Sequence, residues 1–191
     1  MNSQHLNEKK SHLGVDYFEK MHIIKNRKED EVAIMLIQFN FKNFRSFREE
    51  ATLDLSATKM TEFSERVVTI GREKILPVAA IYGANASGKS NIYSAFEYMA
   101  EYVVDSFKYG DEEEKFEEYR PTPFLFDSTS ADAESSFEVY FTIPGDKNEK
   151  TYNYGFCVDQ EGVTEEWLNS KAKTARKYST VFYRGNSDSE L

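Results

Sequence analysis

The sequence predicts an α/β fold: a central strand and helix joined by a glycine-rich loop, with an antiparallel meander built from both sides of that loop. Three observations predict it. A continuous small apolar run, Val78-Ala79-Ala80-Ile81-Tyr82, stops at a loop of the form G-x-x-x-x-G-K-S, and an amphipathic stretch of period 3.6 opens directly after it. On either side, apolar and polar residues alternate at period two, as they do in half-buried strands. Aromatic residues, 12 Tyr and 15 Phe among them, make up 15% of the 191 residues, which suits a sheet-borne core. That length favours one domain, and such a domain buries about 70% of its unfolded surface, so it needs no disulfide or metal to hold it.

Residues 1–34 read differently from the rest. They hold all three histidines (His5, His12, His22) and a dense mixture of charges ending in Lys25-Asn26-Arg27-Lys28-Glu29-Asp30-Glu31. A short helix around Tyr17, Phe18, Met21 and Ile24 would be marginal alone. The expectation is a poorly ordered leader or a mis-assigned start, with the folded part running from Met35 to residue 191. There Ile37, Phe39 and Phe41 alternate as a strand, then Leu53 and Leu55, then the run Val67–Ile70 up to Gly71. Val78–Tyr82, preceded by Pro77, has the continuous apolar character of a strand covered on both faces. Ile92, Ala95, Phe96, Met99 and Val103 then form one helical stripe that fades at Tyr109-Gly110. The acidic stretch 111–118 reads as a solvated loop. Beyond Pro121 and Pro123, Phe137–Ile143 and Tyr152–Val158 alternate around Pro144-Gly145-Asp146 as a hairpin. Gln160-Glu161-Gly162 turns into Val163–Leu168, and Thr180–Tyr183 adds a last strand.

Composition bounds the chemistry. A single cysteine, Cys157, excludes an internal disulfide and a CxxC metal knuckle and fits a reducing cytoplasm. No apolar run approaches the ~20 residues that span a bilayer, and Met1–His5 lacks a signal-peptide pattern, so the expectation is a cytoplasmic protein with no membrane partner. A net charge of −9 argues against coating nucleic acid by charge alone. No histidine lies beyond His22, which excludes a Ser/His/Asp triad in the folded part. The aromatic stripe Tyr152/Tyr154/Phe156 has few basic residues interleaved and reads as core.

The chemistry therefore concentrates in Gly83-Ala84-Asn85-Ala86-Ser87-Gly88-Lys89-Ser90, a Walker A pattern. A chance match in a chain this long has a probability of roughly 0.7% at ordinary residue frequencies, and the strand-loop-helix context lowers it further. Gly83 and Gly88 let the backbone turn and approach an anion. The N–H groups of Asn85, Ala86, Ser87, Gly88 and Lys89 would converge at a helix N-terminus, where the dipole favours negative charge. Lys89 would reach the β- and γ-phosphates of ATP. Ser90 would give its hydroxyl to Mg²⁺, whose other ligands are waters and phosphate oxygens.

Read as GxNxSGKSN, with Asn85 and the pair Ser90-Asn91, the loop resembles that of ABC-type ATPase heads, the group of SMC, RecF and OLD proteins. Upstream, Phe41-Lys42-Asn43-Phe44-Arg45-Ser46-Phe47, followed by the Leu53/Leu55 strand, resembles the N-terminal NFRSF hairpin of AAA-type, OLD-like ATP-binding proteins, many of them abortive-infection or phage-defence ATPases. Ser136–Val139, Tyr152–Phe156, Glu165–Leu168 and Val181–Arg184 resemble the same family's first lobe. The resemblance implies an N-terminal nucleotide-binding lobe, with Asn91 at the nucleotide and Arg45 and Ser46 near it, Arg45 holding phosphates or lying as a surface turn residue. It also implies an ATP-sandwiched homodimer in the full-length parent, and a nucleic acid or an effector nuclease as partner.

Two expected parts have no match. No signature Ser-Gly segment follows the loop, and the one Walker B candidate, Gly155–Asp159 with Glu161 nearby, reads better as a hairpin strand and its turn. The expectation is the front lobe of an ATPase that ends before its catalytic half. The alternative is a free-standing or truncated MgATP-binding module without turnover of its own. A small P-loop GTPase or kinase fits less well: no N-K-x-D or T-K-x-D guanine-reading motif is present, and β-rich sequence replaces the helices and lid arginines of a kinase.

Overall fold

A computed structural model describes residues 34–57, 63–109 and 120–185, with the side chains of 105–109 excepted. The leader expected over residues 1–34 (Ile34 apart) and the acidic stretch 111–118 lie outside the described residues. In order, the chain forms β1 (Met35–Lys42), β2 (Ala51–Asp54), a 3-10 turn (Ser64–Arg66), β3 (Val68–Ile70), β4 (Glu73–Ile75), α1 (Lys89–Tyr109), α2 (Ser128–Ala131), β5 (Ser135–Thr142), β6 (Thr151–Val158), β7 (Val163–Lys171) and β8 (Ser179–Gly185). Six strands make one antiparallel sheet in the order β2-β1-β5-β6-β7-β8, and β3 and β4 pair as a separate hairpin.

Period two decides which residues meet. Phe39 stands opposite Val139 and Phe41 opposite Phe137 between β1 and β5, and Phe137 stands opposite Phe156 on β6. These side chains share one face with α1, whose Ala95, Met99 and Tyr102 are buried against it. Phe39, Phe137 and Ala95 are wholly removed from solvent. Each large apolar side chain buried in this way contributes about 1.5–3 kcal/mol. The rings also meet: Phe44 edge to face with Phe137 at 5.4 Å, Tyr98 tilted against Phe137 at 4.9 Å, and Tyr102 stacked on Phe156 at 4.8 Å. The buried helix face is rotated from the expected stripe. Tyr98 and Tyr102 pack inward, whereas Phe96 and Val103 sit at the margin, 36% and 46% exposed.

The opposite sheet face carries a polar ladder. The Glu138 carboxylate accepts from Asn40 (2.9 Å) and Asn153 (2.8 Å), and Asn169 donates to Asn153 Oδ1 (3.0 Å). Asn40 and Asn153 are buried, and these bonds keep their amides satisfied. Gly155 lies beneath the Trp167 indole, where a Cβ would overlap the ring.

One expected strand does not form. Val78–Tyr82 has extended sequence character but no ladder, and Val78, Ile81 and Tyr82 are 77%, 42% and 90% exposed. The physical reason is the lack of partners. A run that is apolar on both faces needs strands on both sides, and among the described residues no strand lies beside it. The central element of the expected α/β arrangement is therefore the α1 helix on an antiparallel sheet, with the segment leading into the loop left unpaired. No described helix is long and apolar enough to cross a membrane.

Candidate functional site

The glycine-rich loop ends where α1 begins. Gly88 adopts φ +87° and Ala86 φ +62°, both left-handed, and the Gly88 carbonyl accepts the first helical bonds from Asn91 (2.9 Å) and Ile92 (3.2 Å). The N–H groups at the head of α1 are left without intrahelical partners, which suits an anion. Ser46, Ala86, Ser87, Gly88, Lys89, Ser90 and Asn91 line a pocket of about 330 Å³ there. A Cβ on Gly88 would come within 3.1 Å of the Phe47 ring and of Ser46 Oγ. Glycine is thus required at 88 both by its conformation and by the close approach of the turn above it.

Lys89 curls over its own loop. Its Nζ donates to the carbonyls of Gly83 (2.8 Å) and Ala84 (2.5 Å) and to Ser87 Oγ (3.4 Å). Gly83 is held close, since a Cβ there would lie 2.7 Å from Ser87 Oγ. Gly83 and Asn85 do not line the pocket themselves; Gly83 contributes the carbonyl that receives Lys89, and Asn85 is exposed. A phosphate is a stronger acceptor for an ammonium than these neutral carbonyls, so an incoming anion would compete Lys89 away from them. Ser46, Ser87 and Ser90 each bring a hydroxyl to the pocket lining. Among the described residues no group of three or more His, Cys, Asp or Glu gathers to hold a metal.

The turn between β1 and β2 forms the pocket's second wall. Its shape depends on Asn43, which sequence reasoning did not single out. Asn43 is buried at φ +52°, a left-handed conformation that asparagine tolerates better than most residues. Its Nδ2 donates to the carbonyls of Ser130 and Ala133 (2.8 Å each), its Oδ1 accepts from Phe124 N–H (3.0 Å), and its own carbonyl accepts from Ser135 Oγ (2.6 Å). Phe44 and Phe47 exchange backbone bonds of 2.9 Å across the turn. The signal available in the sequence was an asparagine at the end of an alternating strand, a position where left-handed φ is common.

Arg45 and Ser46 part company in this turn. Ser46 faces the loop pocket and accepts from Asn91 Nδ2 at 2.7 Å. Arg45, at φ +50°, donates its backbone N–H to Thr122 O (2.8 Å) and holds its guanidinium 5.3 Å from the Phe44 ring centroid. It lines a separate pocket of about 240 Å³ with Glu97, Glu101 and Arg120 and does not line the loop pocket. Asp159 is used by its own turn: its Oδ1 accepts the N–H of Glu161 (2.7 Å) and of Gly162 (3.0 Å). Cys157 lies half-buried, and burial, with Glu134 and Glu165 nearby, pushes its thiol up to about 12, far from a nucleophile's range.

Among curated proteins none matches the chain. Residues 78–190, more than half of the 191, match the family described as "AAA domain, putative AbiEii toxin, Type IV TA system". The match starts at the unpaired apolar segment and runs through the loop, α1 and strands β5 to β8. The chain therefore belongs to this AAA-domain family, which carries a P-loop NTPase fold and a nucleotide-binding function of the ATPase type.

Proposed function

We propose that Gly83–Ser90 is the phosphate-binding loop for MgATP and that this lobe belongs to an ATPase of the ABC-head type, related to SMC, RecF and OLD proteins. The observation that carries the reading is the pocket at the head of α1, where left-handed Gly88, unpartnered helix amides, Lys89 and Ser90 meet. In this reading the amides and Lys89 hold the β- and γ-phosphates, and Ser90 holds Mg²⁺. Nucleotide-driven pairing of two such lobes would then gate an effector acting on nucleic acid, in a toxin–antitoxin or phage-defence setting.

A specific observation favours binding without turnover by these residues alone. Among the described residues no carboxylate lines the loop pocket, and Asp159, the sequence candidate for Walker B, is occupied by its turn. Water activation needs a positioned base within hydrogen-bond reach of the nucleophile. Lys89→Ala in the 191-residue chain should abolish MgATP binding and leave the thermal midpoint without nucleotide unchanged, as measured by titration with a fluorescent ATP analogue and by a melting scan. Unaltered affinity would remove the assignment. Phosphate release by the wild-type chain should not exceed that of Lys89→Ala, and clear turnover would defeat the binding-only reading.

A further inference from the structure

We propose that the loop between β7 and β8, with the adjoining β5–β6 turn, is a docking surface for single-stranded nucleic acid. The surface gives the nucleic acid of the proposed function a place to bind, and no residue of Gly83–Ser90 takes part in it. The loop runs Lys171-Ala172-Lys173-Thr174-Ala175-Arg176-Lys177-Tyr178, four cations and no carboxylate in eight residues, in a chain whose net charge is −9. Charge gathered against the sign of the whole makes a local field of its own, and that field attracts polyanions. Strand register brings the two turns together. Lys171 stands opposite Thr151 in the β6–β7 ladder, and Lys173 Nζ reaches Glu149 Oε2 in the β5–β6 turn at 2.6 Å. Lys171 is held 3.8 Å from Glu73. These pairs leave Lys147, Arg176 and Lys177 exposed and without an ion pair among the described residues.

The spread of these groups selects the partner. They lie across the ends of four neighbouring strands, β5 to β8. At the spacing of hydrogen-bonded strands that is a width of about 14 Å, too wide for one phosphate and suited to a chain of them. Tyr178 supplies a second kind of contact. Its ring is 36% exposed, has Lys171 Nζ 4.8 Å from its centroid, and packs edge-on against Tyr140 at 6.1 Å. A ring held among cations offers an unpaired base a surface to stack on, which is how single strands are gripped without reading their sequence. A membrane surface would call for large apolar side chains to insert. Between Lys171 and Tyr178 the loop has only Ala172, Thr174 and Ala175 besides its cations.

The test uses the 191-residue chain and a fluorescein-labelled single-stranded DNA of about 20 nucleotides, long enough to cover the surface, titrated by anisotropy over a range of salt. Arg176→Glu with Lys177→Glu should weaken binding at least about tenfold and flatten the slope of log affinity against log salt by about 1.4, two phosphate contacts on a single strand. Tyr178→Ala should weaken binding at least about fivefold, the scale of one stacked base, and leave that slope unchanged. Lys42→Glu reverses a charge at the opposite end of the sheet, where Lys42 stands across from Ser136, and should change neither quantity. The charge variants alter exposed side chains and should keep the wild-type thermal midpoint. No binding by the wild-type chain at low salt, wild-type affinity in either loop variant, or an equal loss in Lys42→Glu would overturn the proposal. So would tighter binding to a duplex of the same sequence, or to phosphatidylserine vesicles, than to the single strand. Lys89→Ala keeps the two readings apart: it should lose the ATP analogue and bind the DNA like wild type. DNA affinity that falls with it would overturn the docking surface, whereas unaltered ATP affinity would strike the phosphate-loop reading alone.

Discussion

The aromatic face of the sheet and the segment that feeds the loop are both apolar in sequence and opposite in environment. Phe39, Phe137 and Phe156 are at most 1% exposed, whereas Val78 and Tyr82 are 77% and 90% exposed. The strands of the sheet find antiparallel partners among the described residues, and α1 covers one of its faces. Val78–Tyr82 finds none, and yet the loop after it keeps a left-handed Gly88 and an ordered pocket. The difference teaches that the loop's shape does not depend on its leading strand here. It is braced from the side, by Phe47 against Gly88 and by Asn91 to Ser46.

The widest separation between the two regions should appear in stability. Phe137→Ala removes a ring packed against Phe44, Tyr98 and Phe156 and should cost about 3–5 kcal/mol. Ile81→Ala should change stability by no more than about 0.5 kcal/mol. Urea unfolding of the two variants checks the pair, and a large loss in Ile81→Ala would show that the segment is packed after all. A smaller effect tests the brace. Gly88→Ala places a Cβ at φ +87° against Phe47 and Ser46 and should cost about 1–2 kcal/mol, with loss of binding to a fluorescent ATP analogue. Equal stability and affinity in that variant would mean that neither the turn nor the backbone constrains the loop.

The smallest effect lies on the alkaline side of the sheet. Burial raises the Cys157 thiol from its ordinary 9.0 to about 12, and burial also raises the hydroxyls of Tyr98 and Tyr154. Groups whose folded values are raised stabilise fully below their unfolded values, and that contribution is lost as pH climbs toward the folded ones. The urea midpoint should therefore fall between pH 9 and about 12, and Cys157→Ala should make the fall slightly shallower. A flat midpoint over that range would contradict the burial of these groups. In the same direction, Cys157 should resist a thiol reagent at pH 8 until the protein is unfolded in urea.

The sheet was legible because its code is local. Phe137, Val139 and Phe141, then Tyr152, Tyr154 and Phe156, mark alternation and turns within a few residues of each other, and a hairpin needs nothing further. The short hairpin of β3 and β4 was only half legible, since Glu73–Ile75 is too short and too polar to signal a strand. Tyr98 and Tyr102 were missed as core because their burial depends on the angle at which α1 lies across the aromatic face. In the site, the G-x-x-x-x-G-K-S spacing alone placed Gly88, Lys89 and Ser90 at a helix N-terminus. It could not show that Asn91 reaches back to Ser46, or that Arg45 lines a different pocket from its neighbour.

What the sequence by itself determined is therefore the set of half-buried strands, the amphipathic helix and the loop that joins it to an apolar run. Each follows from residue order at short range, through side-chain period or glycine conformation. What only the tertiary structure decided is which groups separated by long stretches of chain face one another. The buried amide of Asn43 ties its turn to residues 124–135, that turn aims Ser46 at Gly88, and Arg45 is left on the other side. Such contacts depend on how the helix, the sheet and the turn pack together, and no periodicity within any one of them specifies that.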